Sequence, residues 1–296
     1  MEKKLQLENP ENFPLGGRVA FSAGSNWDYL LHLADNALIL GHRNSEWCGH
    51  GPVLEQDIAI TNISLDLIGQ ARNFYQYAAL LKADGSTEDT LAYLRDAKDF
   101  KNYLLLELPK GDWALTILRQ FFFSNYQYLL YQQLQNSKDE QITAIASKAL
   151  KEVAYHLRWS SEWVIRLGDG TGESRRRILQ AMDELWPYMD ELFVPASYEK
   201  EAGVDLSSIK EEWMKKLNQV FEEATLPSPP LSPVLASEAK PVIASEAKPV
   251  IASEAKPVIA SEAKQSGGKQ GKHSEHLDNI LADLQFLQRA YPNSQW

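Results

Sequence analysis

Four side chains have the types and approximate spacing from which a dinuclear iron site could be built: Asp35, Asp66, Glu152 and His156. In a four-helix bundle such a centre takes one carboxylate from each of two helices and a Glu-x-x-His pair from each of the other two. The i, i+3 spacing sets carboxylate and imidazole on one helical face, aimed at the same metal. Asp35 stands about eight residues before the end of its expected helix and Asp66 about thirteen after the start of the next, so at 1.5 Å per residue they differ in height by roughly 8 Å. The connecting loop could absorb that difference.

The rest of the pattern fails. Three positions after Asp66 is Gly69, which has no side chain to coordinate anything, and three before His156 is Val153. Glu152 is one position off and points about 100° away, leaving Glu152 and His156 as an i, i+4 pair. From Trp113 through Ser137 there is no Asp or Glu at all. A site of four carboxylates and two histidines cannot be assembled from these helices. Two readings of the residue set stay open. One is a reduced metal site; the other is a buried polar cluster whose carboxylates accept hydrogen bonds from neighbours such as Asn125 and Tyr126. The second is favoured, because buried polar groups must be paired but need no metal to be so. No catalytic, cofactor-binding or metal-binding residue is therefore assigned to this chain.

Other chemistry-bearing residues give less. His42, Glu46 and His50 could suggest a metal site, but histidines beside Gly and Pro more often cap or face solvent. Arg175-Arg-Arg177 could grip a phosphate or an acidic partner, and reads better as a solvated helix face among acidic neighbours. No serine sits in a Gly-x-Ser-x-Gly elbow, and there is no phosphate loop or dinucleotide fingerprint. Cys48 is the single cysteine, which excludes an intramolecular disulfide framework, fits a reducing cytosol, and reads as a small apolar residue.

The elements that would position these residues read as helices. Trp27 to Arg43 keeps its apolar residues on one face after Ser25 and Asp28, which resemble a capping box. Turn chemistry from Asn44 to Pro52 leads to a second helix from Val53 to Lys82, and Ser86 with Asp89 caps a third. A Leu-rich segment, Phe100 to Leu108, precedes Trp113 to Gln135, which is apolar on most of its circumference and so should be buried. Ser137 and Glu140 cap a helix running to Leu167 that stops at the glycine-rich Gly168 to Gly172. Glu173 to Phe193 continues as helix with a kink or break at Pro187, and Ser208 with Glu211 opens one more before Pro227. Strand signals are almost absent, so the fold class is all-α: a four-helix bundle, made of two pairs of long helices, with flanking helices.

The organisation expected is a helical domain over 1–226, an insertion over 227–271 and a C-terminal helical piece over 272–296. In the insertion Val-Leu/Ile-Ala-Ser-Glu-Ala-Lys-Pro recurs with a period of eight from Val234, Val242, Val250 and Val258, the last copy ending in Gln265. Its prolines interrupt any helix, and it buries too little to offset ordering entropy, so it reads as low-complexity and largely disordered. Leu277, Ile280, Leu281, Leu284 and Leu287 then resume helical spacing, as a helix returning to the bundle would.

The 296 residues carry 30 Lys plus Arg against 40 Asp plus Glu, a net charge of −10 that disfavours nucleic acid and anionic membrane surfaces as partners. Met1 to Asn12 lacks the apolar stretch of a signal peptide, and no run of about 18 apolar residues occurs, so a cytoplasmic protein is expected.

Several long strings are family-specific. Leu33-Ala-Asp-Asn-Ala-Leu-Ile-Leu-Gly-His-Arg-Asn-Ser-Glu-Trp47, Glu55-Gln-Asp-Ile-Ala, Asp66-Leu-Ile-Gly-Gln-Ala71, Tyr155-His-Leu-Arg158, Glu162-Trp-Val164, Arg166-Leu-Gly-Asp-Gly170, Glu184-Leu-Trp-Pro187 and Leu287-Gln-Arg-Ala-Tyr-Pro resemble the C-subunit family of bacterial phenylacetyl-CoA epoxidases. The resemblance spans about Asn26 to Leu226 and His273 to Trp296; the octapeptide insertion is not part of the family pattern. It implies a ferritin-like fold in a multicomponent monooxygenase of aerobic phenylacetate catabolism that epoxidises the aromatic ring of phenylacetyl-CoA. In that family a homologous A subunit carries the di-iron centre and binds the CoA thioester, and a reductase with flavin and iron-sulfur groups draws electrons from NADPH. The C subunit is a structural partner of A within an assembly with the other epoxidase subunits. The aromatic stretch Phe121 to Tyr131 would then serve both core and interface. The alternatives are an autonomous ferritin-like di-metal oxidase using Asp35, Asp66, Glu152 and His156, and a helical adaptor unconnected to oxygenases.

Overall fold

The computed structural model describes residues 25–228 and 267–291. The octapeptide repeats, Met1 to Asn12 and the last residues from Pro292 lie outside them. Among the described residues there is no strand. The helices are α1 (Ser25–Ser45), α2 (Leu54–Lys82), α3 (Glu88–Tyr93), α4 (Leu104–Glu107), α5 (Trp113–Leu134), α6 (Glu140–Gly168), α7 (Gly172–Leu185), α8 (Ser197–Glu201), α9 (Leu206–Glu223) and α10 (Glu275–Ala290). Short 3-10 turns occupy Ala97–Asp99 and Gly268–Gln270, and a longer one Trp186–Phe193.

Two antiparallel hairpins, α1 with α2 and α5 with α6, form the bundle, and α2 and α6 also meet. The pattern of burial makes α1 and α5 the central layer. Every residue from Tyr29 to Gly41 is buried, and so is every one from Thr116 to Gln127. On one side α2 and α6 cover them; on the other α7 and α9 pack on α5, α4 and α8 on α1, and α10 on α3 and α4. The α1–α2 contact is close because α1 has a glycine at the crossing. A Cβ on Gly41 would stand 3.1 Å from Ile68 Cγ1 and 3.3 Å from Leu67 Cβ, so any larger side chain would push the two helices apart.

The caps fall one to three residues from the expected serines. Thr87 forms a reciprocal capping box with Thr90, Asp139 accepts from the amides of Gln141 and Ile142, and Asp205 accepts from those of Ser207 and Ser208. Each satisfies amides that the first helical turn leaves without partners, at about 1 kcal/mol per cap. Pro187 does not kink a continuing helix: α7 ends at Leu185 and the chain tightens into the 3-10 segment Trp186–Phe193. Most of the aromatic stretch of α5 lies in this chain's core, with Tyr128 and Leu129 half-buried. Phe121, Phe122, Phe123, Tyr126 and Tyr131 are all buried, with Trp213 of α9 wedged against Phe122 and donating its indole N–H to the Phe122 carbonyl at 2.9 Å. Among the described residues no helix is long and apolar enough to cross a membrane.

Candidate functional site

A half-buried polar ladder runs between α2 and α6. Asp66 Oδ2 lies 3.0 Å from His156 Nε2, and one turn further along Gln70 donates to Glu152 Oε2 at 2.9 Å. The two i, i+4 pairs, Asp66/Gln70 and Glu152/His156, meet rung to rung, as antiparallel helices require. From α5, Gln127 Nε2 donates to Gln70 Oε1 at 3.0 Å and lies the same distance from the Tyr131 hydroxyl. So α5 contributes an amide and a phenol here and no carboxylate.

Asp35 does not join this ladder. Buried on α1, it accepts the Tyr75 hydroxyl at 2.5 Å, the Lys101 backbone amide at 2.7 Å and a two-armed ion pair from Arg95. With that many donors the carboxylate is already satisfied, which explains why it turns away from Asp66. Arg95 lies 4.1 Å from the Phe100 ring centroid. Burial and the adjacent Asp35 push the Tyr75 phenol well above its ordinary range. The neighbours expected for the cluster are engaged elsewhere: Asn125 donates to the Trp213 carbonyl and Tyr126 is paired with the Tyr103 hydroxyl. The four residues Asp35, Asp66, Glu152 and His156 thus form two separate arrangements.

A di-iron centre does not fit these residues. Gly69 and Val153 stand where ligands belong, α5 presents Gln127 and Tyr131, and among the described residues no group of three or more His, Cys, Asp and Glu is placed to hold a metal ion. His42, Glu46 and His50 do not converge either. Glu46 is paired with Arg43 at 2.7 Å, and His50 is exposed and lies 3.1 Å from the Cys48 carbonyl. Cys48 is exposed rather than part of the core. Of the three arginines, Arg175 clamps the Gly168 and Thr225 carbonyls, while Arg176 and Arg177 grip Glu173 on the surface.

A second polar centre has no warning in the sequence. The buried carboxylates of Glu107, Glu191 and Glu199 hold residues 268–274, so the fold resumes at Gly267, within the insertion expected over 227–271. Glu191 accepts from the amides of Leu104 and Gly268, Glu199 pairs with Lys269 at 2.7 Å, and Glu107 accepts from the Ser274 amide at 2.7 Å and faces His273 at 3.0 Å. Burial raises the Glu191 carboxyl to about 7 and lowers the Lys269 ammonium. His32, fully buried beside Glu199, is lowered to about 4 by burial, and its Nδ1 lies 2.7 Å from the Lys101 carbonyl. For His273, burial opposes protonation, but the bond to Glu107 wins and its pKa is raised. These are anchoring contacts: each carboxylate is closed off by donors of this chain.

A ferritin-like helical bundle whose α2 and α6 carry a hydrogen-bonded ladder in place of a metal ligand set is the class these features define. The chain belongs to the family described as phenylacetic acid catabolic protein, whose model matches residues 23–241 and 240–296. It is similar to the C subunit of the 1,2-phenylacetyl-CoA epoxidase of Escherichia coli (strain K12), with 41% identity over 273 residues that cover 90% of this chain and 98% of that relative.

Proposed function

We propose that this chain is the structural, non-catalytic C-type subunit of a multicomponent monooxygenase that epoxidises the aromatic ring of phenylacetyl-CoA in phenylacetate catabolism. The observation that carries the reading is the α5 helix. A chain kin to an epoxidase component presents Gln127 and Tyr131 to the bundle interior and has no carboxylate between Trp113 and Ser137. The chain's own residues pair across this position, Asp66 with His156 and Gln70 with Glu152 and Gln127, and offer a metal no Glu-x-x-His pair. Its contribution is then a rigid bundle against which a homologous A-type subunit is held. That A-type partner carries the di-iron centre and the CoA thioester, and a reductase with flavin and iron-sulfur groups feeds it electrons from NADPH. Localisation in the cytoplasm follows from the same reading.

The test is metal analysis and ring-epoxidation assay of the purified chain alone and of its complex with a co-expressed A-type subunit. Iron and activity confined to the complex are expected. About two metals per isolated chain would overturn the assignment in favour of an autonomous di-metal oxidase, and an isolated chain indifferent to the A-type subunit would favour an unrelated helical adaptor.

A further inference from the structure

Residues 267–291 are held to the fold more by polar contacts than by packing. Of its 16 residues α10 buries only Leu277, Ile280, Leu281 and Gln285. It packs mainly on α3, α4 and the turn Ala97–Asp99, all of them short, so little apolar surface resists its local opening. What fastens it is the stretch from Gly268 to Ser274, and there His273 touches two separate parts of the fold at once.

Both ring nitrogens of His273 face acceptors. Nδ1 lies 3.0 Å from Glu107 Oε2, and Nε2 lies 2.9 Å from the Phe100 carbonyl oxygen. The carbonyl cannot donate, and the Glu107 carboxylate is already accepting, through Oε1 from the Ser274 amide at 2.7 Å and through Oε2 from the Asn102 side chain at 3.2 Å. A neutral imidazole has one N–H and one lone pair, so either tautomer would turn a lone pair on one of these oxygens. Only the imidazolium, with two N–H groups, satisfies both contacts.

The surroundings agree. Burial opposes the charge, the side chain being 4% exposed, but the bond to Glu107 of α4 outweighs it and Asp35 of α1 adds to it, so the imidazole keeps its proton above the ordinary histidine range. Asp96 and Lys98 from the neighbouring turn and Asp278 of α10 line the groove beside the ring. The other cations of this region are committed elsewhere, Lys269 to Glu199 and Arg43 to Glu46.

We infer that residues 267–291 form a clasp that His273 keeps shut as an imidazolium and that opens when this proton is lost. The closed state binds the proton more tightly than the open one, so the contribution of His273 is fully present below about pH 6.5 and is lost as pH rises through its closed-state value. Between those two values the open fraction rises about tenfold per pH unit. Opening also frees the Arg95 carbonyl, which Gln285 holds at 3.0 Å and Arg289 at 2.9 Å, and so reaches the partner of the buried Asp35.

The test uses the full chain as wild type, His273→Gln and Glu107→Gln. Imidazole nitrogen chemical shifts report which ring nitrogens carry protons, and hydrogen exchange between about pH 6 and 8.5, corrected for the intrinsic rate, follows α10. In wild type both His273 nitrogens should be protonated at pH 7, and α10 should exchange faster than α5 and lose protection as pH rises. His273→Gln should flatten that loss to the share of Glu191 and Lys269, which titrate alike in all three proteins. Glu107→Gln offers Nδ1 an N–H in place of an acceptor, so a neutral ring fits; the His273 midpoint should fall below about 6.5 and the loss should flatten again. A singly protonated His273 ring at pH 7 in wild type, a loss equally steep in wild type and His273→Gln, or α10 protected as strongly as α5 at every pH would overturn the clasp. Should Glu107→Gln fail to fold, the other two proteins decide the question.

Discussion

The Glu199 carboxylate and the Lys269 ammonium lie 2.7 Å apart with side chains 1% and 0% exposed, although 70 positions of sequence separate them. Lys269 also donates to the Val194 carbonyl at 2.8 Å, and Glu199 accepts the Ala196 amide at 2.7 Å. Removing one partner strands the other charge in the interior. Lys269→Met is therefore expected to destabilise the chain by ~3–5 kcal/mol, and Glu199→Gln in the same chain should restore much of the loss. Urea unfolding of the three variants measures this, and additivity of the single effects would contradict it.

Gly268 allows no side chain. A Cβ there would stand 2.1 Å from the Asn102 carbonyl oxygen, and its amide is held by Glu191 at 2.9 Å. The neighbour is backbone and cannot swing aside. Gly268→Ala should cost more than ~2 kcal/mol and release the C-terminal segment, seen as faster hydrogen exchange in α10 than in α5. Unchanged exchange would mean that the segment is held by α10 alone.

Two buried groups with opposite proton linkage sit in the same region. The Glu191 carboxyl is raised to about 7, so the folded state binds its proton more tightly than the unfolded one, and its contribution to stability is lost as pH rises from the ordinary carboxyl range through 7. The His32 imidazole is lowered to about 4, so its contribution is lost as pH falls from about 6.5 through 4. Each amounts to on the order of 3 kcal/mol at about 1.4 kcal/mol per pH unit, and over pH 4.5–6.5 they oppose one another. Glu191 is faced by Lys269 and Glu107, and His32 by Glu199, Lys269 and Asp35. Glu191→Gln should make stability rise more steeply with pH than in wild type, and His32→Gln should make it fall. Melting temperatures between pH 4.5 and 7.5 read this directly, and parallel profiles for the three proteins would contradict the assignment.

The long helices were legible because their signals are redundant. Burial of most of Trp113 to Leu134 follows from an apolar composition on most of the helix circumference, and the ends expected for α1, α2 and α5 lie within two residues of those found. The caps were less legible: near Ser86, Ser137 and Ser208 several Ser, Thr and Asp residues satisfy the same signature, and only the backbone turn chooses Thr87, Asp139 and Asp205. At the site, the missing ligands Gly69 and Val153 could be read from helical spacing. That Asp35 leaves Asp66 could not, because its partner Arg95 lies 60 positions away beyond α2 and no period relates them. Glu107, Glu191 and Glu199 look like solvated acids in sequence. Their burial depends on Gly268, Lys269 and His273, which reach them from the far side of the octapeptide repeats.

The central claim is that this chain supports the chemistry of a partner and performs none. Its most direct test is ring epoxidation of phenylacetyl-CoA by the complex carrying Asp66→Asn, Glu152→Gln and His156→Gln together in this chain, with iron content and assembly matched to wild type. The expected kcat lies within about twofold of that of the unsubstituted complex, since no reacting atom is touched. A loss of ~100-fold or more in an intact, iron-replete complex would place working groups in the α2–α6 ladder and contradict it.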